Sequence, residues 1–232
     1  MVYFGTGKYL EKNDALFNSG LENSFYAVWD SSVFSYRATA TAPGIAPGGF
    51  TRANLQNQTL TNVESGGTTY RVVSDNPVNY TTDADGNGGQ RGWYMDMPAN
   101  SGELLINTPT LVGDLVLFTT LVPPEQACSL DQASGAIMAV RADTGGRANR
   151  PVFDLDRNRQ HDSGDLIGGD DNQVAPSGIV LGASPVGGLG VNSNGDGIAQ
   201  VQSGTSEGGI LTWLLDTGQN TNSRVSWREI RR

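Results

Sequence analysis

The chain has 232 residues and a formal net charge of −9, and a single all-β domain often reaches this length. Its 31 glycines and 10 prolines, with only 17% charged residues, exclude a coiled coil or helical bundle, because those folds need long segments without turn formers. The acidic balance argues against a nucleic-acid-binding surface, and no apolar run is long enough for a transmembrane helix. The composition predicts many short strands joined by polar loops.

Segments rich in β-branched and aromatic residues, each bounded by turn formers, predict strands along the whole chain. In the first half they are 2–4, 24–30, 70–73 and 92–98, with a short helical turn between Lys8 and Asn18. In the second half they are 103–106, 113–120, 135–145, 178–181, 197–202 and 209–218. Residues 35–68 are rich in Thr, Ala, Gly and Asn, and we expect a variable surface excursion there.

Three of these segments run alternating apolar residues into an aspartate, at Asp30, Asp143 and Asp216. The last two close with Asp-Thr-Gly, where Asp can bond its own backbone and Gly can take a positive φ. Their separation fits one blade-like unit per 50 to 70 residues with variable loops. The pattern favours an all-β β-propeller over a sandwich of unrelated hairpins. We expect one domain over residues 1–232.

The polar loop from Asp154 to Asp165 has the spacing of a calcium-binding loop. Oxygen-bearing side chains fall at positions 1, 3, 5, 9 and 12, and position 7 offers its backbone carbonyl, which suits a Ca²⁺ ion with six or seven oxygen ligands. In chain order the candidate ligands are Asp154, Asp156, Asn158, Gln160, Asp162 and Asp165.

Two features depart from the usual calcium loop. Position 6 is Arg159 where glycine is usual, and a positive φ at an arginine costs on the order of 1 kcal/mol. Position 12 is an aspartate, Asp165, whose side chain reaches less far than the usual glutamate. The alternative interpretation is a solvated acidic loop without a metal.

The chain contains a single cysteine, Cys128, and a single histidine, His161. Cys128 cannot form a disulfide within these residues, so it is a small loop residue or pairs with a cysteine elsewhere. His161 lies in a polar acidic loop without an evident partner triad. The sequence therefore predicts no nucleophilic catalytic site.

Several segments, in order, resemble the C-terminal region of the PilY/PilC family of type IV pilus tip proteins. They are 2–10, 24–30, 92–98, 107–124 with Cys128, 153–156 and 225–230. The resemblance covers nearly the whole chain, and residues 35–68 match poorly.

The resemblance implies a C-terminal β-propeller of a modified, seven-bladed type behind a variable N-terminal part. It implies a non-enzymatic protein at the pilus tip, extracellular or associated with the outer membrane, that acts with minor pilins in pilus assembly, opposes retraction and adheres to a host or abiotic surface receptor. The family also has a calcium site of the form Asp-x-Asp-x-Asn-x-x-x-Asp, which Asp154, Asp156, Asn158 and Asp162 match.

The length allows about four blades at roughly 40 to 60 residues each, whereas a propeller must close to hide its edges. We therefore expect the C-terminal portion of a longer protein or a divergent short form. Two other functions remain open. A quinoprotein-like dehydrogenase is one, because its blades carry repeats similar to Asp-Thr-Gly, and a lectin-like or protein-binding module is the other.

Overall fold

The computed structural model describes residues 1–29, 51–81, 89–126, 133–169, 172–182, 188–193, 197–205 and 208–218. Asp30, the predicted end of a strand, and Cys128, the single cysteine, lie outside these ranges. The described residues are all-β, apart from short 3-10 helices at Lys12–Ala15, Arg52–Asn54 and Ser163–Asp165. Within them, no helix is long and apolar enough to cross a membrane.

The described strands are short, as the many turn-forming residues predict. In chain order they are β1 (Val2–Gly5), β2 (Ser24–Val28), β3 (Gln56–Gln58), β4 (Leu60–Ser65), β5 (Thr68–Val73), β6 (Gly92–Asp96), β7 (Thr110–Val112), β8 (Leu115–Thr119), β9 (Gly135–Arg141), β10 (Gly178–Leu181), β11 (Gly190–Ser193), β12 (Ile198–Gly204) and β13 (Ile210–Asp216).

These strands form three sheets. The first sheet has the order β1-β2-β6-β3, the central sheet β4-β5-β10-β9-β8-β7, and the last sheet β11-β12-β13. Neighbouring strands pair antiparallel, except that β3 runs parallel to β6. None of the three described sheets closes on itself.

The central sheet is buried on both of its faces at β8 and β9. Every residue of β8, and every residue of β9 except Arg141, is buried. Because side chains alternate along a strand, Val116 and Phe118 enter one hydrophobic core, whereas Leu115 and Leu117 enter a second core. This double burial explains why β8 is a continuous apolar run rather than an alternating one.

Each core joins the central sheet to one of the other two sheets. In the first core, Phe25 of the first sheet stacks on Phe118 with ring centroids 4.0 Å apart, and the buried ring of Trp93 packs beside them. In the second core, Val201 and Leu215 of the last sheet meet the opposite face of the central sheet. The described residues therefore form three stacked β layers.

The two outer faces of this stack differ in chemistry. On the first sheet, the rings of Phe4, Tyr26 and Tyr94 form a row across three strands, with successive centroids 5.3 and 6.0 Å apart. The guanidinium of Arg52 lies 4.0 Å from the Tyr94 ring centroid and pairs with Asp96. On the outer face of the last sheet, by contrast, the exposed residues are mixed and include Gln200, Gln202, Thr212 and the apolar Ile210.

The Asp-Thr-Gly sequences lie in turns that require glycine. Gly145, just after β9, has φ +71°, and a Cβ there would lie 2.2 Å from a ring atom of Trp93. Gly218, just after β13, has φ +67°. A left-handed backbone favours glycine, so both Asp-Thr-Gly motifs need a glycine at their last position.

The turn after β9 also accepts hydrogen bonds from the aromatic side chains that pack around it. The Tyr3 hydroxyl and the Trp93 indole both donate to the Ala142 carbonyl, at 3.0 and 3.2 Å, and the Tyr80 hydroxyl donates to the Asp143 carbonyl. Burial, with a smaller contribution from the Asp143 carboxylate, raises the pKa of Tyr80 to about 12. These bonds fasten the first sheet to the end of β9.

Two expectations from the sequence differ from the structure. Residues 56–65, within the expected surface excursion, form β3 and β4, and Gln58 is buried. The expected strand at 103–106 is reduced to one bridge between Leu104 and Leu121. The described residues form three sheets, whereas the expected four blade-like units concern the whole chain.

A buried ion pair links the central sheet to the segment that follows the first sheet. Arg71 on β5 donates two hydrogen bonds to the Glu103 carboxylate, at 2.7 and 2.8 Å, and the two side chains are 5% and 0% exposed. The Thr120 hydroxyl also donates to Glu103. Arg71 Nε, however, has no partner among the described residues. Such a pair is sensitive to the loss of one partner, because the other charge is then left uncompensated.

We predict that Glu103→Gln lowers the free energy of unfolding by about 3–5 kcal/mol, because the Arg71 guanidinium loses its buried counter-ion. The double variant Arg71→Met with Glu103→Leu should lose less, since it buries no unpaired charge. Urea denaturation followed by circular dichroism measures both. As a control, Glu22→Gln at an exposed position should change stability by no more than about 0.5 kcal/mol. Equal effects of Glu103→Gln and Glu22→Gln would show that the pair does not support the fold.

Candidate metal centre

The acidic loop begins at a point fixed to the last sheet. Phe153 is 1% exposed in the second core and forms a β-bridge with Leu215 of β13. The next backbone N–H, that of Asp154, donates to the Leu214 carbonyl at 3.2 Å. The loop ends at the 3-10 helix Ser163–Asp165, followed by a bridge between Ile167 and Val174.

Three carboxylates of the loop converge. One ligand oxygen from each of Asp154, Asp156 and Asp165 lies within 4.8 Å of the other two. Two oxygens bound to the same Ca²⁺ ion are at most about 5 Å apart, so this spacing suits a shared cation. The three residues range from buried Asp165 through half-buried Asp154 to exposed Asp156. In the part of the chain that the structure describes, they are the one group of three or more potential metal ligands at such distances.

Asp165 is the buried anchor of the site, with an exposed fraction of 0%. Its Oδ1 accepts hydrogen bonds from the backbone N–H groups of Leu155 and Asp156, at 2.5 and 3.4 Å. Its Oδ2 accepts from the Asp162 N–H at 3.2 Å. These bonds hold the start and the end of the loop together, so Asp165 has a structural role with or without a metal.

Asp154 has one oxygen bound and one free of hydrogen bonds. Its Oδ2 accepts from the Arg159 backbone N–H at 3.0 Å, whereas its buried Oδ1 has no hydrogen-bond partner among the described residues. Leaving a buried carboxylate oxygen unpaired is costly, and a bound cation would compensate it. Asp156 is held by Asn158, whose backbone and side-chain nitrogens donate to its two oxygens at 3.0 and 2.9 Å.

Of the other three predicted ligands, Asp162 lies outside this group of carboxylates, and ligation by Asn158 and Gln160 stays a prediction. The Asn158 Oδ1 accepts from the Gln160 backbone N–H at 2.6 Å. The Asp162 Oδ1 accepts from the Gly164 N–H at 2.8 Å and caps the short helix. Three of the six predicted ligands, Asp154, Asp156 and Asp165, therefore come together, and Asn158 and Asp162 shape the loop around them.

The backbone of the loop adopts left-handed conformations at two arginines. Arg159, at the position where glycine is usual, has φ +67°, and Arg157 has φ +61°. The sequence predicts strain at Arg159 but gives no signal for Arg157. His161 extends from the loop towards β13, and its Nε2 lies 3.4 Å from the Leu214 carbonyl oxygen. The sequence does not predict the contacts with Leu214, because they are made to its main-chain carbonyl oxygen, which every residue has.

Relatives with established names match the chain along almost its full length. It is 36% identical over 238 residues to the type IV pilus biogenesis factor PilY1 of Pseudomonas aeruginosa strain PAO1, an alignment that covers 99% of this chain and 19% of the relative. It is 30% identical to a PilY1 homolog of Xylella fastidiosa strain Temecula1, covering 100% of this chain and 16% of the relative. The chain thus spans about a fifth of the length of these relatives. No family model matches it.

A solved structure matches the fold as well. The crystal structure of the C-terminal domain of P. aeruginosa PilY1 superimposes with a TM-score of 0.72 at 32% sequence identity, over 94% of this chain and 41% of that domain. The agreement of sequence and three-dimensional structure confirms the resemblance found in the sequence. The chain belongs to the PilY1 family of type IV pilus biogenesis proteins and is similar to part of its C-terminal domain.

Proposed function

We propose that the chain is a non-enzymatic, cell-surface component of a type IV pilus that supports pilus assembly and the control of retraction. The observation that carries this proposal is its 36% identity over almost the full chain to a protein named as a type IV pilus biogenesis factor. On this proposal its partners are minor pilins at the pilus tip and a receptor on a host or abiotic surface. Its location is extracellular, at the pilus tip or the outer membrane.

We further propose that the stacked sheets are blades of a β-propeller. Propeller blades are small antiparallel sheets that pack face to face, and the two hydrophobic cores join three described sheets in this way. The aromatic outer face of the first sheet, with Phe4, Tyr26 and Tyr94, is suited to packing against another blade. A closed ring has at least about four blades, so residues outside the three described sheets would complete it.

The third part of the proposal is that the acidic loop binds Ca²⁺ through Asp154, Asp156 and Asp165. Hard oxygen donors at this spacing suit Ca²⁺, and the free buried oxygen of Asp154 supports a cation at this position. The ion would relieve the repulsion among three converging carboxylates. It would also stiffen a connection whose start, at Phe153, is attached to the second core and to β13.

We predict that Ca²⁺ at a hundred times its dissociation constant raises the melting temperature by about 5–10 °C, because an ion that binds only the folded state stabilises it by mass action. The rise should be lost in the double variant Asp154→Asn with Asp156→Asn. Asp162→Asn is the matched control, since asparagine caps a helix as well as aspartate does and Asp162 lies outside the converging group. Differential scanning calorimetry in Ca²⁺ and in EGTA measures the shift. An unchanged melting temperature on chelation would refute calcium binding.

The left-handed backbone at Arg159 generates a second prediction for the loop. Arg159→Gly and Arg159→Ala both remove a positive charge next to the carboxylates, so both should raise the affinity for Ca²⁺ by about threefold. Only glycine tolerates the positive φ, so Arg159→Gly should be more stable than Arg159→Ala by about 1 kcal/mol in EGTA. Calcium titration calorimetry and urea denaturation separate the two effects. Equal stability of the two variants would contradict the backbone assignment.

The role in the pilus is tested in the organism that carries the chain. Deletion of the coding segment should abolish or strongly reduce surface pili and adhesion to an abiotic surface, measured by electron microscopy and a surface-attachment assay. Chromosomal Asp154→Asn with Asp156→Asn tests the calcium loop separately, with Asp162→Asn as its control. Normal piliation and attachment after the deletion would overturn the proposed function. A defect in the deletion strain but not in the Asp154→Asn with Asp156→Asn strain would support the role in the pilus and would show that the acidic loop is not needed for it.

A further inference from the structure

In the part of the chain that the structure describes, the strands of the last sheet follow one another directly. Strands β11, β12 and β13 lie between residues 190 and 216, and they pair in the order of the sequence. The first and central sheets, by contrast, alternate along the chain, because β3 belongs to the first sheet, β4 and β5 to the central sheet, and β6 again to the first sheet. The last sheet can therefore move as one piece, whereas the other two sheets are joined by several chain crossings.

The last sheet buries little apolar surface against the central sheet. Its fully buried contributions to the second core are Ala199, Val201 and Leu215. Further along the same face of β12, the buried positions are the polar Ser203 and, just beyond the strand, Thr205. The one aromatic ring that the described part of this sheet adds, that of Trp213, is only partly buried, whereas the first sheet buries the rings of Phe25 and Trp93 completely. Because the stabilisation from burial scales with apolar area, the last sheet is held less strongly than the first.

Polar contacts attach the end of β13 to the rest of the described fold. The Asp216 N–H donates to the Val152 carbonyl at 2.9 Å. The Asp114 N–H, in the turn between β7 and β8, donates to the Thr217 carbonyl at 3.3 Å. The Arg150 guanidinium donates to both carboxylate oxygens of Asp114, at 3.0 and 2.7 Å, and to the Asp216 carbonyl at 3.3 Å. Arg150 thus fastens the last sheet to the central sheet through a bidentate, charge-assisted contact.

We propose that the last sheet separates from the central sheet and unfolds as a single unit, while the first and central sheets stay folded. Proteins open in contiguous units of this kind at free energies below that of global unfolding. Three short strands that lose their one buried face do not make a stable sheet, so separation and loss of the strands occur together. The open state exposes Leu117 and Ile137 of the central sheet, which share the second core with the last sheet. The contact between these two sheets is thus the conformationally variable part of the fold.

Native-state hydrogen exchange of the full chain, followed by nuclear magnetic resonance at increasing urea concentrations, tests the proposal. The amides of β12 and β13 should open together, with a lower free energy and a weaker dependence on urea than the amides of β8 and β9. The weaker dependence is expected because the local opening exposes less surface than global unfolding. Equal opening free energies and equal urea dependences for the two groups of amides would overturn the proposal.

A variant in the first core distinguishes the local opening from global unfolding. Phe25→Leu leaves a cavity in the first core, which is present in both the closed and the open state but is lost on global unfolding. It should therefore accelerate exchange of the β8 and β9 amides at least about fivefold and leave the β12 and β13 amides unchanged. Val73→Ala, also in the first core, takes its place if Phe25→Leu fails to fold by circular dichroism. Equal acceleration of both groups of amides would overturn the proposal, because the last sheet would then open only with the whole fold.

A second variant weakens the closed state directly. Arg150→Met removes contacts that only the closed state makes, so it should accelerate exchange of the β12 and β13 amides by about fivefold. Arg52→Met is the matched control, because Arg52 pairs with Asp96 on the first sheet and its loss should leave those amides unchanged. Asp114→Asn replaces Arg150→Met if that variant fails to fold. Unchanged exchange of the last sheet in Arg150→Met, or equal acceleration in Arg52→Met, would overturn the proposal.

Discussion

The fold depends on the burial of β8 and β9 from both sides. Their residues alternate between two cores, so a single pair of strands provides the packing surface for the first sheet and for the last sheet. Among the described residues, the first sheet contributes only to the first core and the last sheet only to the second core. A cavity or a polar group introduced in β8 or β9 would therefore disturb one interface or the other, according to whether the residue number is even or odd.

The arrangement of the carboxylates in the candidate metal centre depends on this packing. Phe153 places the start of the loop in the second core, and Asp165 returns the end of the loop to the same place through hydrogen bonds to the Leu155 and Asp156 N–H groups. Protein hydrogen bonds thus bring the carboxylates together, an arrangement that would lower the cost of ordering the loop around an ion. Among the described residues, the Asp154 Oδ1 of this group remains without a hydrogen-bond partner.

The sequence predicts the parts of this structure that rest on local chemistry. Most strands follow from the pattern of apolar residues, and the turns at Gly145 and Gly218 follow from their turn-forming residues. The convergence of Asp154, Asp156 and Asp165 follows from their spacing in the loop. It misses β3 and β4, because short polar segments such as Gln-Asn-Gln look like loop and become strands through pairing with distant partners. The side-chain oxygens at positions 158 and 162 accept hydrogen bonds from nearby backbone N–H groups. Spacing alone does not predict these bonds, and ligation by the two side chains stays a prediction.

The bond from the Asp154 N–H to the Leu214 carbonyl couples the acidic loop to the docking of a whole sheet. This bond holds the backbone of Asp154, which carries the first carboxylate of the group, against β13. An ion bound there would therefore favour the docked last sheet over a state in which that sheet has separated from the central one. By thermodynamic reciprocity, any partner that pulled on the last sheet would lower the affinity of the loop for the ion by the same factor. On the proposal that the loop binds Ca²⁺, the docking of the last sheet would depend on the calcium concentration around the protein.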